Sequence, residues 1–435
     1  MTPGLIVAAP ASGSGKTVVT LGLLRAFRRR GIAAAAFKVG PDYIDPAFHR
    51  AASGRPCRNL DPWAMRTESL AEGLAAVAEG AALVIGEGVM GLFDGAADGS
   101  GSTADLAERL DLPVVLLLDV AGQSASAAAV LLGFRDYRPG LALAGVITNR
   151  AGGAGHRRIL EAALAPLGLP LLGQLPREQG LALPSRHLGL VQAEERQDLE
   201  AFLERAADLM EAHLDLEALR RLARVPAPSS LAAASPPLPP LGQRVAVARD
   251  LGFAFAYDAV LDGWRRAGAE VLPFSPLADE APAEDTDAVY LPGGYPELHA
   301  ERIAAAHRFF DALHRRAAAG AAIYGECGGY MVLGEGLIDA DGRRHRMAGL
   351  LPLKTSFQAP RLHLGYRRIE ALAGSPLAPA GGRLRGHEFH YATVLSEAGA
   401  APLFRASDAR GENAAEVGLK QGRVMGSFLH LIDRE

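Results

Sequence analysis

The stretch Ala9-Pro-Ala-Ser-Gly-Ser-Gly-Lys-Thr17 follows the apolar run Leu5–Ala8 and precedes a segment with Val18, Leu21, Leu24 and Phe27 at helical spacing. That order, strand then glycine-rich turn then helix, is the context a phosphate-binding loop requires. Gly13 and Gly15 let backbone N–H groups turn toward phosphates, Lys16 supplies a point charge, and the Thr17 hydroxyl is placed to hold Mg²⁺ at a helix N-terminus. Pro10 stands where the first glycine of the general motif belongs, so the loop entry departs from the common one. Arginines at positions 28 to 30 and then Gly31 close the expected helix over 17–30.

Working outward, the short apolar runs LIVAAP, ALVIGEG, VVLLLD, LAGVITN and LLGQLP alternate with longer amphipathic segments up to residue 224. That alternation predicts a parallel sheet flanked by helices. The run VPAPSSLAAASPPLPPLGQ over 225–243 is proline-rich, which removes backbone donors and favours extended chain, so a linker is expected there. From 244 the pattern restarts with RVAVARD, a helix over Tyr257–Ala267, AVYLPGG, and AAIYGECGGYM. The fold class expected is therefore α/β in two domains: a phosphate-loop parallel-sheet domain over 1–224 and a second α/β domain over 244–435.

Composition narrows the function classes. The 435 residues are 49% hydrophobic and 22% charged with a formal net charge of −4, a globular composition without the basic field that gathers nucleic acid. The longest apolar stretch, Leu112–Leu118, is far too short to span a bilayer, so neither a membrane nor nucleic acid is an expected partner. Two cysteines in unrelated contexts, Cys57 and Cys327, argue against a disulfide framework, and no export leader is read at the start. A cytoplasmic protein acting on small molecules is the expectation.

Four acidic groups are candidates for a place near the phosphate loop. In Phe37-Lys-Val-Gly-Pro-Asp-Tyr-Ile-Asp-Pro46, Asp42 and Asp45 could ligate Mg²⁺ or could simply form a proline-bounded turn. Glu87 ends the apolar run ALVIGE at the edge where parallel sheets present ligands, and it opens a glycine-punctuated loop carrying Asp94. Asn149, ending LAGVITN, reads either as a nucleotide-base contact or as a turn residue.

In the second half, AAIYGE runs into Cys327, then Gly328-Gly329 and a helix-like segment, which suggests a nucleophile elbow that lifts the sulfur to a helix N-terminus. A buried core cysteine is the plainer alternative. Leu291-Pro-Gly-Gly-Tyr-Pro-Glu297 supplies glycine N–H groups at Gly293 and Gly294 for an oxyanion hole, and His430 in MGSFLHLID is the candidate base. The cluster Arg385-Gly-His-Glu-Phe-His-Tyr391 could suggest metal, but His387 and His390 lack a fourth ligand by spacing, which favours hydrogen bonding, substrate contact or plain strand structure.

The strings APASGSGKT, KVGPDYIDPAFH, EGVMGLFDG, LPSRHLGLV and GHEFHY resemble those of cobyrinic and hydrogenobyrinic acid a,c-diamide synthases over nearly the whole chain. That resemblance implies a dethiobiotin-synthetase-like ATP domain joined to a class I glutamine amidotransferase domain. It implies ATP as substrate with Mg²⁺, nucleotide and metal contacts at Lys16 and Thr17, metal and acyl-phosphate chemistry at Asp45, Glu87 and Asp94, and corrinoid contacts at Tyr43 and Ile44, with Asp42 alongside. His187 would face the substrate or cap a loop. Glutamine would yield ammonia at Cys327 with His430 relaying protons, and the a- and c-acetate carboxylates would be amidated in turn. Ammonia would need a shielded path to the other site. Many class I enzymes carry a glutamate two residues after the histidine, but Ile432 stands there, leaving open what orients His430. The expected partners are a corrinoid, glutamine and ATP, with a homodimer admitted. Two other readings remain: another corrinoid or tetrapyrrole amidotransferase, and a nucleotide switch carrying a decayed glutaminase.

Overall fold

The computed structural model describes residues 2–178, 180–183, 185–186, 189–226 and 235–435. His187 and residues 227–234 of the proline-rich run lie outside them. Two compact units emerge, one from the residues up to Trp63 and from 70 to 232, the other from Ala64–Ser69 and from 233 to 435, so that the division falls inside the proline-rich run. Among the described residues no helix is long and apolar enough to cross a membrane.

In the first unit seven parallel strands, β1 (Gly4–Ala8), β2 (Ala34–Val39), β3 (Cys57–Leu60), β4 (Leu83–Glu87), β5 (Val114–Asp119), β6 (Leu143–Ala151) and β7 (Leu171–Pro176), line up as β3-β2-β4-β1-β5-β6-β7. β1, β2 and β4 are buried along their whole length, which is why they read as apolar runs, interrupted only by Lys38 in β2 and closed by Glu87 in β4, rather than as alternating ones. The four residues of β3, Cys-Arg-Asn-Leu, carry no such run and are legible only through their pairing with β2. β1 is flanked by β4 and β5, so the chain leaves it at a topological switch, where α/β sheets open a crevice at their strand ends. The helix α1 (Lys16–Arg29) starts there, with Gly13 and Gly15 both at positive φ (76° and 96°). That backbone region is open to glycine at little cost.

The second unit holds β8 (Arg244–Ala248), β9 (Glu270–Phe274), β10 (Ala288–Leu291), β11 (Ala322–Glu326), β12 (His363–Ala371), β13 (Arg383–His390), β14 (Ala401–Ser407), β15 (Ala415–Gln421), β16 (Val424–Ser427) and β17 (Leu429–Arg434). They form one sheet in the order β9-β8-β10-β11-β16-β15-β14-β12-β13-β17, parallel from β9 to β16 and antiparallel thereafter. β16 and β17 are separated by Phe428 alone, so one continuous stretch pairs first beside β11 and then with β13. A smaller sheet of Arg344–Arg346, Gly336–Ile338, Leu353–Ser356 and Thr393–Glu397 closes over the core that includes Phe309, Tyr330, Leu333 and Leu353.

Candidate functional sites

At the first site the strand ends bring together residues that are far apart in sequence. The Thr17 hydroxyl donates to Glu87 Oε1 at 2.6 Å. Lys38 Nζ, buried near the end of β2, lies 2.8 Å from Glu87 Oε1 and 2.6 Å from Asp45 Oδ2. From the helix α2 (Asp45–Ser53), His49 donates through Nδ1 to the Asp45 carbonyl and through Nε2 to Glu87 Oε2, both at 2.6 Å. A histidine donating from both nitrogens is an imidazolium. Burial works against that charge, yet the Glu87 carboxylate outweighs it and holds the His49 pKa well above its ordinary value.

Burial would likewise raise Glu87, but Lys38 and His49 prevail and hold its carboxyl below the usual range. This cluster therefore stabilises the unit above the ordinary glutamate pKa and stops doing so only as pH falls through the depressed one. Asp45 goes the other way, up to about 7, through burial and the nearby charges of Asp42 and Glu87, which Lys38 offsets only in part. Lys16 donates to the carbonyls of Ala11 and Met90, and burial, then repulsion from Lys38, lowers its pKa to about 8.

The remaining residues of the ATP half separate by role in the fold. Asp42 accepts from the N–H groups of Ile44 and Asp45, capping the start of α2, which is the turn-forming function. Tyr43 is half-buried and Ile44 buried. Asp94 accepts from Gly91 N–H within its own loop and joins the cluster only through its field on Lys16. Asn149 donates to the Ser14 carbonyl at 2.8 Å, pressed against the phosphate loop, and with Gly15, Val18, Leu181 and Met210 it lines a cavity beside that loop. Lys38 and His49 were not picked out from sequence. The signals were there: a lone lysine inside an apolar strand, and a histidine one helical turn after Asp45.

At the second site Cys327 sits between β11 and the short helix Gly328–Leu333 with φ of 47°. A non-glycine residue at that φ is strained, which is the mark of an elbow held by its surroundings. Gly329 passes so close to Leu291 that a Cβ there would stand 1.9 Å from its carbonyl oxygen, so this turn tolerates no side chain. The three parts of the reading from sequence meet at one point. A Cβ built on Gly293 would lie 2.4 Å from His430 Cε1, 3.2 Å from His430 Nε2 and 3.4 Å from Cys327 Cβ, and the Gly294 nitrogen lies 3.0 Å from where a Gly328 Cβ would be.

Burial, followed by the charge of Glu297, pushes the Cys327 thiol well above its ordinary pKa, with the Gly328 N–H pulling the other way. Burial, then His387 and His390, drops His430 to about 3, so the pair rests as neutral thiol and neutral imidazole. His387 faces His430 directly across the β13–β17 ladder. Gly293→Ala is expected to keep the fold while pushing His430 off line, lowering glutamine hydrolysis by about 10²-fold, since a displacement near 1 Å has that consequence. Steady-state hydrolysis together with a melting curve checks it.

The histidine cluster on β13 is a hydrogen-bonded one. His390 Nε2 donates to Glu388 Oε1 at 3.0 Å, while Arg367 grips Glu388 Oε2 through Nε and Nη2 at 2.8 and 2.7 Å. His363 completes a set of three groups close enough to share an ion. Its ring, however, stacks on His390 at 4.6 Å and 3°, so the two lone-pair planes run parallel instead of converging, and the guanidinium already neutralises the carboxylate.

A sheet bearing a phosphate loop and a second unit bearing a cysteine elbow with an apposed histidine define a nucleotide-dependent glutamine amidotransferase. Residues 5–191 match the family described as the CobQ/CobB/MinD/ParA nucleotide binding domain, and residues 244–435 match the CobB/CobQ-like glutamine amidotransferase domain. The chain is similar to hydrogenobyrinate a,c-diamide synthases of Brucella abortus biovar 1 (strain 9-941), 58% identical over 99% of this chain and 98% of that one, and of Rhodobacter capsulatus, 56% identical over 99% and 98%. The counterpart of Rhizobium meliloti (strain 1021) is 54% identical over 99% of each chain. This chain belongs to the hydrogenobyrinate a,c-diamide synthase family.

Proposed function

We propose that this protein converts the a- and c-acetate carboxylates of hydrogenobyrinic acid to amides, spending ATP and glutamine, in the cytoplasm where both are made. The observation that carries this reading is that the likeness to hydrogenobyrinate a,c-diamide synthases runs over 99% of the chain, so that it takes in both sites.

In the glutaminase half, the Cys327 thiol proton passes to His430 Nε2 as the sulfur bonds to the side-chain amide carbon of glutamine. The oxygen becomes an oxyanion, held by N–H groups of the Gly293–Gly294 turn and of Gly328. The proton on His430 then goes to the departing nitrogen, the C–N bond breaks, ammonia leaves, and water clears the thioester with His430 as base. A base resting neutral suits the first step, and an imidazolium suits the second.

In the ATP half, Thr17, Asp45 and Glu87 offer hard oxygen donors around one point where the Lys38 ammonium now sits. Such a donor set suits Mg²⁺, whose charge, held by these residues, would offset that on the transferring phosphoryl group. Lys16 and the N–H groups of the loop would hold the phosphates, and Asn149 would border the base. Activation as acyl phosphate is required because a carboxylate is a poor electrophile. Asp42 holds Asp45 in place by capping α2, and Tyr43 at the same turn would meet the corrinoid.

Mass spectrometry of the purified protein with ATP, glutamine and either hydrogenobyrinic or cobyrinic acid tests the assignment. The expected result is two successive carboxyl-to-amide exchanges on the cobalt-free acid. Exchange on neither acid, or on the cobalt-bearing one alone, sinks it.

A further inference from the structure

We infer that Glu326, the residue immediately before the nucleophile, is the positioning residue of His430 and takes the part that a glutamate two residues after the histidine plays in many class I amidotransferases. This rests on the glutaminase reading above.

The carboxylate holds His430 from two directions. Oε1 accepts from the N–H of Leu431, the peptide next to the histidine, at 3.1 Å, and Oε2 lies 3.8 Å from His430 Nδ1. Nε2 is the ring nitrogen nearer Gly293, on the side of Cys327. The imidazole therefore stands between thiol and carboxylate with one nitrogen toward each. A 3.8 Å approach is looser than a hydrogen bond, as is common before substrate closes a site. Ile432, where the usual acid would be, is buried and apolar.

The surroundings of Glu326 make a purely structural role a poor account of it. It is 2% exposed, yet the groups that hydrogen-bond to it are neutral: Tyr290 O–H to Oε2 at 2.7 Å and the Leu431 amide to Oε1 at 3.1 Å. Burying a carboxylate among neutral donors is costly, and a well-packed apolar residue would ordinarily be more stabilising there. Burial indeed lifts its pKa to about 7, against the pull of those donors. The group beside it that becomes cationic is His430, and it does so only while it carries the thiol proton. A carboxylate at Nδ1 fixes the tautomer with the lone pair on Nε2 and then stabilises the transient imidazolium.

Glu326→Gln keeps the size and can still accept from Leu431, but it has no charge. Its kcat for glutamine hydrolysis is expected to fall about 100-fold, with KM for glutamine within about threefold and amidation from added ammonia unchanged. Glu326→Asp should recover part of the loss, since the charge returns at a longer reach. A Glu326→Gln protein with kcat within threefold of the parent overturns the inference. So does parallel loss of ammonia-supported amidation in both variants, which would assign the carboxylate to folding. Cys327→Ala, measured alongside, separates the two levels: continued glutamine hydrolysis in that variant defeats the glutaminase reading itself, whatever Glu326 does.

Discussion

Cys327→Ala is expected to abolish amide formation from glutamine while leaving amide formation from ammonium salts at the parental rate. The sulfur is the atom that bonds to the substrate carbon, so its loss removes the covalent route altogether and should lower glutamine turnover by roughly 10³-fold or more. Alanine fits the space left by a side chain that is 1% exposed, and the strained φ of 47° belongs to a residue whose replacement by alanine changes no backbone demand. Stability should therefore move by little more than the loss of one buried sulfur, about 1 kcal/mol. Parallel rate measurements with the two nitrogen sources check this. Equal loss with both would sink the division of labour between the two units.

Glu87→Ala should behave in the opposite way, removing product formation from glutamine and from ammonia together. It deletes the shared partner of Thr17, Lys38 and His49. Lys38 keeps Asp45, but His49 loses the carboxylate that sustains its charge and should revert to a neutral ring. Breaking a buried ion cluster of this kind costs about 3–5 kcal/mol, which for a unit of this size lowers the melting temperature by about 10 °C. Titration calorimetry supplies a reading independent of turnover. The Mg²⁺-dependent part of ATP affinity should disappear, and an unchanged MgATP affinity would remove Glu87 from the metal site.

How far the site was legible depends on the kind of signal each residue left. Lys16, Thr17 and Cys327 sit in glycine-flanked turns whose local sequence states the geometry, so they can be read without the fold. Glu87 was found because a carboxylate ending an apolar strand has few bland explanations. AAIYGE ends in the same way as ALVIGE, so a carboxylate closing an apolar strand marks Glu326 as it marks Glu87, one residue ahead of the cysteine. His49 lies one helical turn from Asp45 and faces Glu87, 38 residues distant in sequence, so its charge arises entirely from a contact made by folding.

From the residue order alone come the two α/β halves, the phosphate loop, the cysteine elbow, the Gly293–Gly294 turn and the histidine, because each rests on local backbone chemistry or on burial periodicity. Which carboxylates stand together, and which of them accepts backbone N–H groups at the start of a helix, are decided by packing. Asp42 and Asp45, three residues apart and alike in composition, end as a cap and a buried ion-pair partner because β2 delivers Lys38 to only one of them. The missing acid beside His430 is supplied by β11, a strand that does not pair with β17 at all, and spacing along the chain carries no record of such a meeting.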